Sequence, residues 1–117
     1  MIALVRVASK DEIPEGAARR VEIDGEEIAV VNAGGHFYAV SDICSHEYYH
    51  LSEGEVDVDE VTIECPKHGS TFSLLTGEPQ SLPAVLPVRV YGVRVVGDDV
   101  MVEVLEPAAE ASSAAGG

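Results

Sequence analysis

The sequence predicts an all-β fold, and three observations support this prediction. Short stretches in which apolar and polar residues alternate recur along the chain, whereas long stretches with the 3.6-residue period of a helix do not. The apolar residues are mostly Val, Ile, Leu and Ala, while aromatic residues are only 5% and Trp is absent. Glycine and proline recur between the alternating stretches, where turns are expected.

The first predicted elements lie in the N-terminal third. Residues 9–14 begin like a helix cap and predict one short helical turn. Two strands, at 20–24 and 26–31, flank the dipeptide Asp24-Gly25, which is a strong hairpin signal. A third strand follows at 37–40. We therefore expect an antiparallel sheet in this part of the chain.

The C-terminal elements repeat the same pattern. Residues 88–96 alternate between apolar and polar side chains, and the turn residues Gly97-Asp98-Asp99 follow. Val100, Val102 and Val104 then alternate again. This arrangement predicts a final hairpin.

The chain has 117 residues, the length of one compact domain, which we expect to span 1–106. Residues near 3–40 and 88–105 are predicted to form a β-sandwich base. A loop-rich subdomain at about 41–87 is inserted between these two parts. Residues 107–117 are almost entirely Ala, Ser and Gly, so a disordered tail is expected there.

The charge balance restricts the possible partners. Seven Lys and Arg residues stand against 21 Asp and Glu residues, which leaves a net charge of −14. This charge argues against nucleic acid and against an anionic membrane surface. It favours a partner that presents a basic patch.

The lengths of the apolar runs and the small number of cysteines indicate in which cellular compartment the protein is expected. No apolar run approaches the roughly 20 residues that a membrane-spanning helix needs, and no signal peptide is recognisable. We expect a soluble, cytoplasmic monomer. In a reducing compartment, the two cysteines are better explained as metal ligands than as a disulfide.

Both cysteines stand beside a histidine in the loop-rich subdomain. The pairs are Cys44-Ser45-His46 and Cys65-Pro66-Lys67-His68. Two thiolates and two imidazoles suit either a tetrahedral zinc ion or an iron–sulfur cluster. A zinc finger of the Cys₂His₂ type orders its ligands Cys, Cys, His, His, whereas here they alternate. In a two-iron cluster, Cys44 and Cys65 could hold one iron and His46 and His68 the other.

These residues, with others around them, carry a resemblance. The chain resembles the Rieske-type ferredoxins that serve bacterial multicomponent oxygenases, from about residue 5 to residue 104. The matching segments are Cys44-Ser45-His46, Leu51-Ser52-Glu53-Gly54, Cys65-Pro66-Lys67-His68-Gly69-Ser70, Phe72, Thr76-Gly77 and Leu82-Pro83-Ala84, the last of which resembles the loop that covers the cluster in the family.

The resemblance implies a one-electron carrier without catalytic residues of its own. It implies one [2Fe–2S] cluster, held by Cys44, His46, Cys65 and His68. Such a protein is expected to take electrons from a flavin-type ferredoxin reductase and pass them to a terminal non-haem iron oxygenase. The alternatives are a structural zinc-binding module or a redox-sensing module that uses the same four ligands.

The chain also departs from the family pattern. The interval between His46 and Cys65 is longer than in similar sequences, and the excess at 57–60 is predicted to be a hairpin tip. Tyr49 and Lys67 stand where the respiratory high-potential branch has a disulfide, so that bridge is absent.

Two residues that follow the second ligand pair can be compared with their counterparts in the respiratory high-potential branch. Ser70 matches a hydroxyl that donates a hydrogen bond to a cluster sulfur. Phe72 replaces a tyrosine that supplies a second donor. We therefore expect a reduction potential toward the low end of the Rieske range.

The remaining histidines and the tyrosines receive simpler interpretations. His36 lies beside a predicted turn and is expected to be exposed. His50 is expected to pack on the surface of the first ligand loop. Tyr48 and Tyr49 are expected to shield the cluster, and Lys67 is expected to be solvated.

Overall fold

The computed structural model describes residues 2–44, 49–67, 69–80 and 86–105. Within them there is no α-helix, which confirms the all-β prediction. Two short 3-10 turns occupy Lys10–Glu12 and Leu51–Glu53. The strands in these ranges are β1 Ile2–Ser9, β2 Ala18–Ile23, β3 Glu26–Ala33, β4 His36–Ser41, β5 Val56–Asp57, β6 Thr62–Glu64, β7 Thr71–Ser73, β8 Val90–Tyr91, β9 Val93–Val96 and β10 Asp99–Leu105.

The predicted N-terminal sheet is present and contains one strand more than expected. Its order is β2-β3-β4-β8, and all its pairings are antiparallel. Asp24 and Gly25 have φ angles of 53° and 83°, as the tight β2–β3 hairpin requires. The helical turn predicted after residue 9 is also present, and there the Ser9 N–H donates to the Glu12 carboxylate at 3.0 Å.

A second sheet joins the two ends of the chain. Its order is β1-β10-β9, with Val5 opposite Val102 and Val100 opposite Val95. The predicted final hairpin is therefore confirmed. The two sheets together form the base that the sequence predicted from its N-terminal and C-terminal parts.

The stretch predicted to alternate over 88–96 is divided in the structure. β8 belongs to the sheet of β2, β3 and β4, whereas β9 belongs to the other sheet. Gly92 stands between them, and its carbonyl accepts a hydrogen bond from the Glu103 N–H at 2.8 Å. The chain thus crosses from one sheet to the other at a glycine, which has no side chain to obstruct the crossing.

β3 is the central strand of the molecule because both of its faces are buried. Ile28 and Val30 point into a cluster shared with Val102 and the second sheet. Ala29 and Val31 point the other way, into a cluster that contains both cysteines. A strand buried on both faces is expected to be apolar along its length. The segment 28–31 meets that expectation, and the buried Asn32 that follows it donates through its side-chain amide to the Ile13 carbonyl.

The inserted subdomain contains a small sheet in addition to its loops. Its order is β5-β6-β7, and each strand has two or three residues. The segment 58–61 connects β5 to β6, where the predicted hairpin tip lies, and the Asp57 carboxylate accepts hydrogen bonds from the N–H groups of Asp59 and Glu60. The predicted tip is therefore confirmed as a turn between two paired strands.

No helix in the described ranges is long and apolar enough to cross a membrane.

Candidate metal centre

The first ligand loop begins directly after β4 and is closed by its own backbone. The Cys44 N–H donates to the Tyr49 carbonyl at 2.9 Å, and Ile43 pairs with His50 in an isolated antiparallel bridge. These contacts fix the position of Cys44 at the neck of a hairpin. His46 follows Cys44 by two residues in the sequence and lies outside the described residues.

The second ligand loop connects β6 to β7. The Cys65 N–H donates to the Ser70 carbonyl at 2.7 Å, and the Gly69 N–H donates to the Cys65 carbonyl at 3.0 Å. Gly69 has a φ of +77°, a conformation that glycine adopts without strain. Cys65 thus stands at the neck of a second closed turn. His68 lies outside the described residues.

A close backbone contact brings the two loops together. Gly54 follows the 3-10 turn that ends the first loop, and Glu64 immediately precedes Cys65. A Cβ atom at position 54 would lie only 1.6 Å from the Glu64 carbonyl oxygen. Only glycine permits this approach, so residue 54 helps to place one ligand loop beside the other.

The two cysteines meet in one buried cluster although they are far apart in the sequence. Cys44 is 4% exposed and Cys65 is 1% exposed, and both pack with Leu51, Ile63 and Phe72. They are not joined in a disulfide. Thiolates in an apolar, water-excluding environment suit soft metal ligation, so these two residues fit a thiolate-ligated metal or iron–sulfur group.

Two neighbouring residues had predicted effects on the cluster. Ser70 is 1% exposed and lies at the end of the second loop, where its carbonyl accepts from the Cys65 N–H. Phe72 is fully buried and pairs with Ile63 on β6. Their effects on a bound cluster remain predictions.

His50 has a more definite role than the surface packing predicted for it. Its Nδ1 lies 2.7 Å from an Asp42 carboxylate oxygen and 3.3 Å from Glu27. The His50 ring and the Asp42 carboxylate are thus within hydrogen-bond distance. Asp42 is completely buried and also accepts from the Ser52 N–H at 2.7 Å. Residues before and after the first ligand loop are thus bonded to each other.

The same group contains a cation that decides what the group can bind. The Arg20 guanidinium lies 3.8 Å from Asp42 and 4.0 Å from Glu27. The carboxylates therefore already have positive or hydrogen-donating partners. Although Glu27, Asp42 and His50 bring ligand atoms close together, we interpret the group as the anchor of the first ligand loop. Asp42 could not be recognised from the sequence, because its partners come from three separate segments.

The remaining sequence predictions for this region have mixed outcomes. His36 is exposed, as predicted. Tyr49 is 37% exposed, and the Lys67 ammonium lies over its ring at 5.2 Å from the centroid, so Lys67 is exposed but has a partner. Tyr48 and the covering loop Leu82-Pro83-Ala84 lie outside the described residues.

A polar network links β3 to β8 in the base, beside the segment that returns from the inserted subdomain. Tyr91 donates to the Glu26 carboxylate, and the Arg89 guanidinium lies 3.2 Å from the same carboxylate. Burial, together with the hydrogen bond to Glu26, raises the pKa of Tyr91 to about 12. This network is distinct from the His50 anchor, since it uses Glu26 and the anchor uses Glu27.

Comparisons with known proteins agree with this geometry. The family model described as the Rieske [2Fe–2S] domain matches residues 3–92. The 3-phenylpropionate/cinnamic acid dioxygenase ferredoxin subunit of Shigella boydii serotype 4 (strain Sb227) is 42% identical over 95 residues, which are 81% of this chain and 88% of that protein. The corresponding protein of Escherichia coli (strain K12) has the same identity and coverage.

Solved structures share the fold. The ferredoxin of carbazole 1,9a-dioxygenase from Nocardioides aromaticivorans IC177 superposes with a TM-score of 0.82 and 41% identity, covering 85% of this chain and 95% of that one. A chain from the complex of reduced oxygenase and oxidised ferredoxin in carbazole 1,9a-dioxygenase gives a TM-score of 0.78 and 38% identity, covering 84% and 99%.

Proposed function

This chain belongs to the Rieske [2Fe–2S] domain family, and from that membership we propose how it works. It is an electron carrier and not an enzyme. One [2Fe–2S] cluster is held by Cys44, His46, Cys65 and His68, and no residue of the chain is catalytic. The observation that carries the proposal is the meeting of Cys44 and Cys65 in one buried apolar cluster, each at the neck of a closed turn.

The residues of the chain act by holding the cluster and by enclosing it. When bound, a [2Fe–2S] cluster takes up and releases one electron. Cys44 and Cys65 supply the two thiolates from positions that exclude water. His46 and His68, which follow within the same two turns in the sequence, supply the two imidazoles. The backbone bonds that close each turn keep the ligand positions fixed.

The partners are proposed from the relatives and from the charge. The electron comes from a flavin-type ferredoxin reductase and goes to a terminal non-haem iron oxygenase. A partner that binds a protein of charge −14 presents a basic patch around its docking surface. The same charge opposes self-association, which supports a monomer. Two cysteines without a disulfide support a cytoplasmic location.

The domain is proposed to extend over residues 1–106, with the cluster-binding subdomain at about 41–87 and a disordered tail at 107–117. The pairing of β1 with β10 supports these limits, because it requires both ends of the first 105 residues in one sheet.

Metal and sulfide analysis tests the proposal directly. The purified protein is expected to contain about two irons and two acid-labile sulfides per chain, and to take up one electron in a reductive titration. His46→Ala and His68→Ala should each lose cluster, whereas the matched control His36→Ala should retain it. One zinc per chain without sulfide would instead identify the structural zinc module.

A further inference from the structure

Lys67 is an exposed cation in the middle of the second ligand loop. Its ammonium lies 5.2 Å from the centroid of the Tyr49 ring, which belongs to the first ligand loop. Such a contact holds the ammonium in place by the attraction of the ring quadrupole. The ring carries no charge, so within the described residues this contact leaves the positive charge of Lys67 in place.

The arginines of the chain are in a different situation. Each of them has a carboxylate within ion-pair distance, whereas no carboxylate of the described residues lies within that distance of Lys67. The pairs are Arg6–Asp99 at 2.8 Å, Arg19–Glu12 at 3.6 Å, Arg20–Asp42 at 3.8 Å, Arg89–Glu26 at 3.2 Å and Arg94–Glu103 at 3.7 Å.

We propose that Lys67, held against Tyr49, is a docking point for a carboxylate on the protein that receives the electron. The proposal rests on the proposed function, because it takes Cys65 and His68 as ligands of the cluster. Lys67 lies between these two residues in the sequence. A carboxylate bonded to Lys67 would therefore place the acceptor directly beside the site from which the electron leaves.

The charge pattern gives the partner surface a definite form. An acidic carrier with a charge of −14 attracts a basic surface from any direction, which speeds the encounter without fixing the orientation. A single positive charge at the exit site requires an acidic group opposite it. The acceptor is thus expected to have a basic rim around a central carboxylate. In any other docking orientation, Lys67 would face the basic rim, and the repulsion between like charges would disfavour that orientation.

Small inorganic oxidants of opposite charge test the local field at the exit site. Reduced holoprotein gives one electron to hexacyanoferrate(III), an anion, or to hexaammineruthenium(III), a cation, and the rate is followed by stopped-flow absorbance. The ratio of the two rate constants cancels any change that a substitution makes in the reduction potential. Lys67→Met is expected to lower the anion-to-cation ratio by about threefold to tenfold at low ionic strength.

Two variants serve as controls for this measurement. Lys10→Met changes the net charge by the same amount as Lys67→Met. Lys10, however, lies in the base, where its backbone N–H donates to the Asp98 carbonyl. Lys67→Arg keeps the charge and can keep the contact with the Tyr49 ring. Both are expected to preserve the wild-type ratio, and high salt should remove the difference between Lys67→Met and the wild type.

A second measurement does not depend on electron transfer. Hexacyanochromate(III) is a redox-inert paramagnetic anion that broadens NMR signals where it binds. In oxidised holoprotein it should broaden the amide signals around Lys67 more than those around Lys10, and Lys67→Met should abolish this preference.

The possible outcomes separate the two proposals. Equal effects of Lys67→Met and Lys10→Met on the rate ratio, with no preferential broadening, would overturn the docking point and leave the carrier function intact. Absence of iron and sulfide from the purified protein would overturn the proposed function itself, and with it the docking point.

Discussion

The two buried clusters on either side of β3 are built from similar aliphatic side chains but support different regions. The base cluster packs Ile28 and Val30 against the second sheet and contains no candidate ligand. The cluster on the other face contains Cys44 and Cys65, and it lies next to strands of only two or three residues.

The difference shows what stabilises each region. The base has long paired strands and fully buried apolar side chains, so its stability comes mainly from apolar burial. The ligand loops have short strands, closed turns and the buried carboxylate of Asp42, so their geometry depends on hydrogen bonds. A substitution that disrupts the ligand loops should therefore leave the base folded, and one that destabilises the base should leave the metal content of the folded chain unchanged.

The largest expected effect is the loss of the ligand site without loss of the base. Cys65→Ser replaces a soft thiolate by a hard oxygen donor, so we expect iron, sulfide and visible absorption to disappear almost completely. The far-UV circular dichroism of the β sheets should persist. Metal analysis and circular dichroism check the two regions in one preparation. A complete cluster in this variant would exclude Cys65 as a ligand.

The converse substitution weakens the base and spares the site. Ile28 is fully buried in the base cluster, so Ile28→Ala should lower the free energy of unfolding by about 2–5 kcal/mol. Denaturant titration measures this change, and iron per folded chain should stay at the wild-type value. Val96→Ala, at a side chain that is 53% exposed on β9, is the control and should change little. Loss of iron without loss of stability in Ile28→Ala would contradict the separation.

A smaller effect is expected where the two regions are joined. Asp42→Asn keeps the size of the side chain but removes the charge that accepts from His50 and Ser52, at a cost of about 1–3 kcal/mol. The first ligand loop should open more often, so iron transfer to a chelator should accelerate about fivefold or more. The exposed Asp98→Asn is the control. Equal chelation rates in both variants would show that Asp42 does not anchor the loop.

The smallest effect concerns alkaline pH and lies in the base. The pKa of Tyr91 is raised to about 12 in the folded chain, above the value of about 10 for an unfolded tyrosine. Between these values the unfolded chain releases the proton and the folded chain keeps it, so stability falls as pH rises from about 10 to about 12. Below pH 10 the contribution is fully present.

Tyr91→Phe isolates this effect. Denaturant titrations across the same pH range should show a shallower fall in the variant than in the wild type. Identical slopes would mean that burial and the hydrogen bond to Glu26 do not hold the proton on Tyr91 in the folded chain.

Local signals in the sequence were enough for much of the fold. Asp24-Gly25 predicted the β2–β3 hairpin, because the required backbone conformation depends on these two residues alone. The short spacings around Cys44 and Cys65 predicted loops at both cysteines, and each cysteine does stand at a closed turn, whereas the ligand roles of His46 and His68 stay predictions. In each case the feature that decides the structure lies within a few residues.

Features that depend on distant partners were not predictable in this way. Residues on both sides of Gly92 alternate alike, so the pattern could not show that the chain changes sheets there. Asp42 and His50 are bonded to Glu27 and Arg20 from two other strands, and no periodicity records such a meeting. The short strands β5, β6 and β7 lack the length over which alternation becomes visible.

The burial of β3 on both faces has a mechanical consequence for electron transfer. The side chains of Ala29 and Val31, which share a cluster with the two cysteines, stand on a backbone that is paired along both edges and packed from behind by a second close-packed core. A strand that is paired on both edges and packed on both faces moves little when the charge of the group held by the ligand loops changes. A carrier that gains and loses an electron with little movement of its surroundings has a low reorganisation energy, and β3 gives the ligand loops that rigid support.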